Sequence, residues 1–144
     1  MTLVLDSSLA LAWHFEDEQT QAVRAVLLDV AGGGAVAPGL WRFEVANGLQ
    51  RALRRGRIDA AIRERALGNL AALNVEIDEG CDVQVWSATV RLADLYRLTV
   101  YDAAYLELAQ RTRFPLATLD AVLATGKAFK SVEDVLNEIY KNNK

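Results

Sequence analysis

The chain has 144 residues, of which 52% are apolar and 24% charged, and a formal net charge of −3. That length fits one domain able to bury roughly two-thirds of its unfolded surface, and the composition excludes a disordered chain. The negative balance excludes the wholesale nucleic-acid binding of a basic domain, so a polyanionic substrate needs a local basic patch or bound cations.

The first apolar run, residues 2–5, reads as a short buried strand that stops at Asp6. It lacks a basic region ahead of it, and no later run approaches the ~20 apolar residues of a bilayer span. Neither secretion nor membrane insertion is expected, and the setting is cytoplasmic. Leu9, Leu11, Ala12 and Phe15 then follow helical spacing. Ala22, Val23, Val26, Leu27 and Val30 mark a second helix over 18–31, ended by Gly32–Gly34. Residues 35–38 form the next strand, closed by Pro38-Gly39.

A helix from Leu40 to about Arg55 and another from Asp59 to about Leu73 lead to a third strand at 74–77. Cys81, a lone cysteine, leaves no partner for an intrachain disulfide and no cysteine cluster for zinc. Helices over 82–97 and 102–112 precede a fourth strand, "PLATL", at 115–119. A brief "AFK" at 128–130 and a capping-box helix over 131–140, with Val132, Val135, Leu136 and Ile139 on one face, close a single domain of residues 1–140; 141–144 form a loose tail. Strands alternating with helices imply an α/β architecture with a mainly parallel sheet covered on both faces.

In such sheets ligands bind beyond the carboxyl ends of the strands, which directs attention to acids. Asp6 and Asp120 each follow a strand, Asp102 opens the "DAAYLELAQR" helix, and Glu44 lies early in the helix after Pro38. Taken singly, each Asp reads first as an N-cap and Glu44 as an early-helix acid favoured by the dipole. Taken together they form a set that repels by about 4 kcal/mol per pair at 4 Å and an effective dielectric of ~20, so the cluster must hold cations or protons. Hard oxygen donors of this kind suit Mg²⁺ or Mn²⁺.

"LVLDSSLALAW", "APGLWRFEVANGLQRAL", "LTVYDAAYLELA" and "PLATLDAVL" resemble the PIN domain, most of all the small toxin ribonucleases of VapBC toxin-antitoxin pairs, over nearly the whole chain. The resemblance implies a three-layer α/β/α sandwich with a short, mainly parallel sheet of four to five strands. It implies that Asp6, Glu44, Asp102 and Asp120 are the catalytic residues that hold Mg²⁺ or Mn²⁺ and cut RNA. Ser8 and Thr118 match polar positions near the acids and would orient water or a carboxylate. It further implies a cognate antitoxin that blocks the site and a homodimer. An Arg or Lys from that partner would best replace the cations.

Along the Glu44 helix, Gly48, Arg51 and Arg55 share one stripe; Gly48 would leave space beside the acid, and the arginines would meet RNA phosphate. Arg51, Arg54, Arg55 and Arg57 are the densest positive run, and their plainer reading is a solvated helix end. His14 reads as a surface or half-buried side chain rather than a general base. Trp13, Trp41, Trp86 and the tyrosines read as core or interface aromatics, and Asp78, Glu79 and Asp82 as a solvated second acidic group. Three other classes stay open: a PIN-like RNA-processing nuclease that is not a toxin, a receiver-like phosphoryl acceptor at Asp6, and a binding module whose acids only cap helices.

Overall fold

The computed structural model describes residues 2–119. Its centre is β1 (Leu3–Leu5), three residues with no solvent exposure. β2 (Ala35–Pro38) pairs parallel to one side of β1, with Leu3 opposite Ala35. β4 (Leu116–Ala117) pairs parallel to the other side, with Leu5 opposite Ala117. β3 (Val75–Asp78) extends the sheet beyond β2, giving the order β3-β2-β1-β4. The chain therefore moves outward through β2 and β3 and then returns to the far side of β1. Its order reverses between β1 and β4, where the connections leave a crevice at the carboxyl ends of the strands.

β1, β2 and β4 are continuous apolar runs because helices cover them, whereas the edge strand β3 alternates Val75, Glu76, Ile77 and Asp78. α1 (Ser7–Ala12) and α2 (Gln21–Gly33) link β1 to β2; α3 (Leu40–Arg54) and α4 (Ala60–Ala72) link β2 to β3. α2 begins at Gln21 rather than 18, since the Thr20 hydroxyl caps it by accepting the Val23 N–H (3.2 Å) and Glu16–Glu18 form a separate 3₁₀ turn. It ends at Gly34, whose φ of +75° a side chain adopts only with strain.

Between β3 and β4 the expected helix over 82–97 starts earlier, as α5 (Gly80–Gln84), because Asp78 Oδ1 accepts the Cys81 N–H at 3.0 Å. It widens into a π turn over Val85–Thr89 before α6 (Val90–Tyr96). α7 (Val100–Thr112) then packs on β1, β2 and β4 and buries every residue from Ala103 to Ala109. Trp13 and Trp41 are core residues, but Trp86 is 95% exposed, so it is no core aromatic. Asp78 also departs from the solvated reading: Arg111 reaches it at 2.9 Å while binding the buried Glu107 at 2.6 Å. No helix among the described residues is long and apolar enough to cross a membrane. The "AFK" segment, the helix expected over 131–140 and Asp120 lie outside the described residues.

Candidate functional site

β1 ends directly on Asp6, and the Asp6 N–H donates to the Ala117 carbonyl of the neighbouring strand at 3.0 Å, locking the two strand ends together. Asp6 takes the N-cap position of α1 with extended backbone, but its carboxylate caps nothing. Instead Oδ2 accepts two hydroxyl hydrogen bonds of 2.6 Å, one from Ser8 and one from Thr118. The capping reading of Asp6 is therefore corrected: the side chain is held by these two hydroxyls and is 3% exposed. Thr118 is itself buried, and Ser8 Oγ accepts the Leu119 N–H at 3.0 Å, so α1 and the end of β4 hold Asp6 between them.

Glu44 arrives from α3. Its Oε1 accepts a 2.6 Å bond from the Tyr105 hydroxyl and a longer one, 3.3 Å, from Ser7. Burial pushes the Glu44 carboxyl above its ordinary range; the Tyr105 hydrogen bond opposes this, and the charges of Asp6 and Asp102 add to it. Carboxylates from two other elements thus act on Glu44. Glu44 has no ion pair among the described residues.

Asp102 does not open its helix as expected. The helix starts at Val100 with Thr99 as cap, whose hydroxyl accepts the Asp102 N–H at 3.1 Å. This puts Asp102 in the first turn, where the helix dipole favours its charge. Asp120 lies outside the described residues. Among the described residues, no three His, Cys, Asp or Glu side chains are arranged to hold a metal ion.

Two site residues were missed by sequence reasoning. Tyr105 is fully buried and looked like a core aromatic, yet it stands three residues after Asp102, which places both on one face of α7. Ser7 stands next to Asp6 in the sequence, with nothing local to pair it with Glu44, 37 residues away. Gly48 is also corrected: rather than leaving room beside Glu44, it lets the Leu11 side chain press against the α3 backbone. Arg57 drops out of the free positive patch, because Asp17 and Glu18 bind it at 2.6 and 2.7 Å and its guanidinium lies 4.0 Å over the Phe15 ring. Arg51 and Arg55 are exposed and have no ion pair among the described residues. His14 makes no hydrogen bond to the acids; its Nε2 is buried without a partner among the described residues, and burial lowers its pKa.

A parallel α/β domain that gathers carboxylates at the reversal point of its sheet belongs to the class whose chemistry sits at the strand ends. The PIN domain family model matches residues 3–127, and the chain belongs to that family. It is 33% identical over 136 residues to Ribonuclease VapC3 of Pyrobaculum aerophilum, covering 86% of this chain and 93% of the relative. It is 34% identical over 130 residues to Ribonuclease VapC9 of Mycobacterium tuberculosis H37Rv, covering 88% and 92%. The crystal structure of PAE2754 from Pyrobaculum aerophilum superposes with a TM-score of 0.70 over 98% of this chain and 96% of that one; at 24% identity it bears on the fold alone.

Proposed function

We propose that this protein is an endoribonuclease acting as the toxin of a toxin-antitoxin pair, dependent on Mg²⁺ or Mn²⁺ and neutralised by a cognate antitoxin. The reading is supported by the charges of Asp6 and Asp102 both acting on Glu44, in a chain whose relatives are named VapC ribonucleases. By chemical type the donors suit a hard divalent cation, and beyond the described residues Asp120 would complete the set. It is all carboxylate oxygen, Glu44 receives only neutral hydroxyl donors from the described residues, and burial with two like charges holds its carboxyl up. Asp6, Glu44, Asp102 and, beyond the described residues, Asp120 would hold the ion. When bound, it would supply an activated water and offset charge on the phosphodiester.

The chain's own part is positioning. Ser8 and Thr118 fix one oxygen of Asp6, while Tyr105 and Ser7 fix one oxygen of Glu44. The carboxylates are thereby oriented before substrate arrives, as preorganised sites require. Arg51 and Arg55 would meet RNA phosphate. The reading carries with it a homodimer, a cytoplasmic location, and an antitoxin Arg or Lys that takes the place of the cations. Asp6→Asn tests it. Because an amide oxygen can still accept from Ser8 and Thr118, the variant should stay folded and lose RNA cleavage at least a hundredfold in Mg²⁺ or Mn²⁺, and EDTA should silence the wild type. Full cleavage by the variant, or by the wild type in EDTA, would refute it.

A further inference from the structure

α1 and α3 pack side by side, and both begin at the acidic site. Ser7 bonds Glu44 at that end, Leu11 then meets Gly48, and Phe15, just past α1, comes level with the last turn of α3. There the two helices leave a pocket of about 210 Å³ whose walls include Arg51, Arg55 and Arg57. The α1–α3 seam therefore runs from Glu44 at one end, past the close Leu11–Gly48 contact, to an arginine pocket at the other. Along the helix axis Arg51 lies about 10 Å and Arg55 about 16 Å from Glu44.

We propose that this pocket holds the phosphate backbone of the RNA a few nucleotides to one side of the bond being cut. The inference rests on the ribonuclease reading and deepens it. Arg57 is committed to Asp17 and Glu18 and covers the Phe15 face, so the ring is not open to stack a base. What the pocket offers is the pair Arg51 and Arg55, exposed and without an ion pair among the described residues. Guanidinium forks match phosphate oxygens and read no base sequence. At the ~3.4 Å stacked rise of a strand, Arg51 stands about three nucleotides and Arg55 about five from the acids, fewer if the strand is unstacked. Because the pocket lies at one end of the α1–α3 seam and Glu44 at the other, the contacts fall on one side of the cut.

The test is a series of labelled RNA oligonucleotides lengthened by one nucleotide at a time, separately on the 5′ and 3′ sides of a mapped cleavage site. Cleavage is followed in the wild type, Arg51→Ala/Arg55→Ala and Arg51→Lys/Arg55→Lys. Binding is followed by anisotropy from 50 to 200 mM salt with Asp6→Asn added to each. Wild-type rate and affinity should climb over the first ~3–5 added nucleotides on one side only and then level off. The alanine pair should lose that climb, roughly tenfold in affinity for long RNA, and reduce the salt slope by about 1.4, while the lysine pair keeps most of it. Equal length dependence in wild type and alanine pair, or equal climbs on both sides, overturns the inference. So does a loss confined to binding of a partner protein, which would make the pocket a protein contact. Should the wild type cut no RNA, the ribonuclease reading fails by itself, and the anisotropy series still decides whether the pocket binds phosphate.

Discussion

Replacing Tyr105 with Phe removes one oxygen atom and leaves the ring, which is completely buried, in place. The lost bond is the 2.6 Å one from the Tyr105 hydroxyl to Glu44. Hydrogen bonds to charged groups contribute about 1.5–3 kcal/mol. Two features move this one to the lower end: Glu44 is half-buried, so water can replace the donor, and Ser7 still donates to the same oxygen at 3.3 Å. Phe introduces no cavity and no unsatisfied group. We therefore expect a loss of about 1–2 kcal/mol, seen by calorimetry as a fall in Tm of about 3–6 °C for a chain of this size. RNA cleavage should fall roughly tenfold as Glu44 loses its orientation. Ser7→Ala, which removes only the longer bond, should cost less in both assays. A Tyr105→Phe protein with unchanged Tm and unchanged cleavage would refute the claim that this hydroxyl positions Glu44.

Three other outcomes follow from the packing. Gly34→Ala should destabilise the protein by about 1–3 kcal/mol in urea titration, because the position has a φ of +75° and a Cβ there would lie 3.0 Å from Asn74 Nδ2 and 3.2 Å from its carbonyl. For the ion pair at the end of β3, Arg111 holds the Asp78 carboxyl below its usual range, so its stabilising effect is present above the unfolded pKa of about 4 and lost as pH falls through the lower folded value. Asp78→Asn should then melt below wild type at pH 7, and the two melting temperatures should converge as the pH falls through that lower folded value. Burial, and after it the charges of Asp78 and Glu107, push the Cys81 thiol up to about 12. Native protein at pH 8 should react with a disulfide reagent roughly a thousandfold more slowly than protein unfolded in guanidinium; comparable rates would show the thiol to be accessible.

Much of the fold was legible because its signals are local. The runs at 3–5, 35–38 and 75–78 are bounded by turn residues and separated by segments of helical period, so the α/β class and strand positions followed to within a residue or two. Helix starts were less legible where two capping residues compete. Thr20 and Thr99 took the capping positions, which shifted one helix later and the other earlier than expected. The π turn at Val85–Thr89 interrupts a stretch whose apolar spacing reads as plain helix, and nothing local marks it.

The site divides along the same line. By itself the sequence determined which acids follow strands, and hence that Asp6 and Glu44 fall on one rim, since a parallel sheet puts all strand ends on the same side. It also determined that hydroxyls stand beside them, at Ser8 and Thr118. Only the tertiary structure decided what each group does. Asp6 is no cap because β4 brings Thr118 within 2.6 Å of its carboxylate, a contact between residues 112 apart in the chain. Tyr105 is a core aromatic whose hydroxyl also reaches Glu44, because α7 lies on β1 and β2. Arg57 is spent on Asp17 and Glu18, 40 and 39 residues away, leaving Arg51 and Arg55 as the pocket's unpaired arginines among the described residues. The physical reason is common to all three: spacing along the chain governs neighbours within a helix or strand, whereas hydrogen bonds and ion pairs are made across the packing.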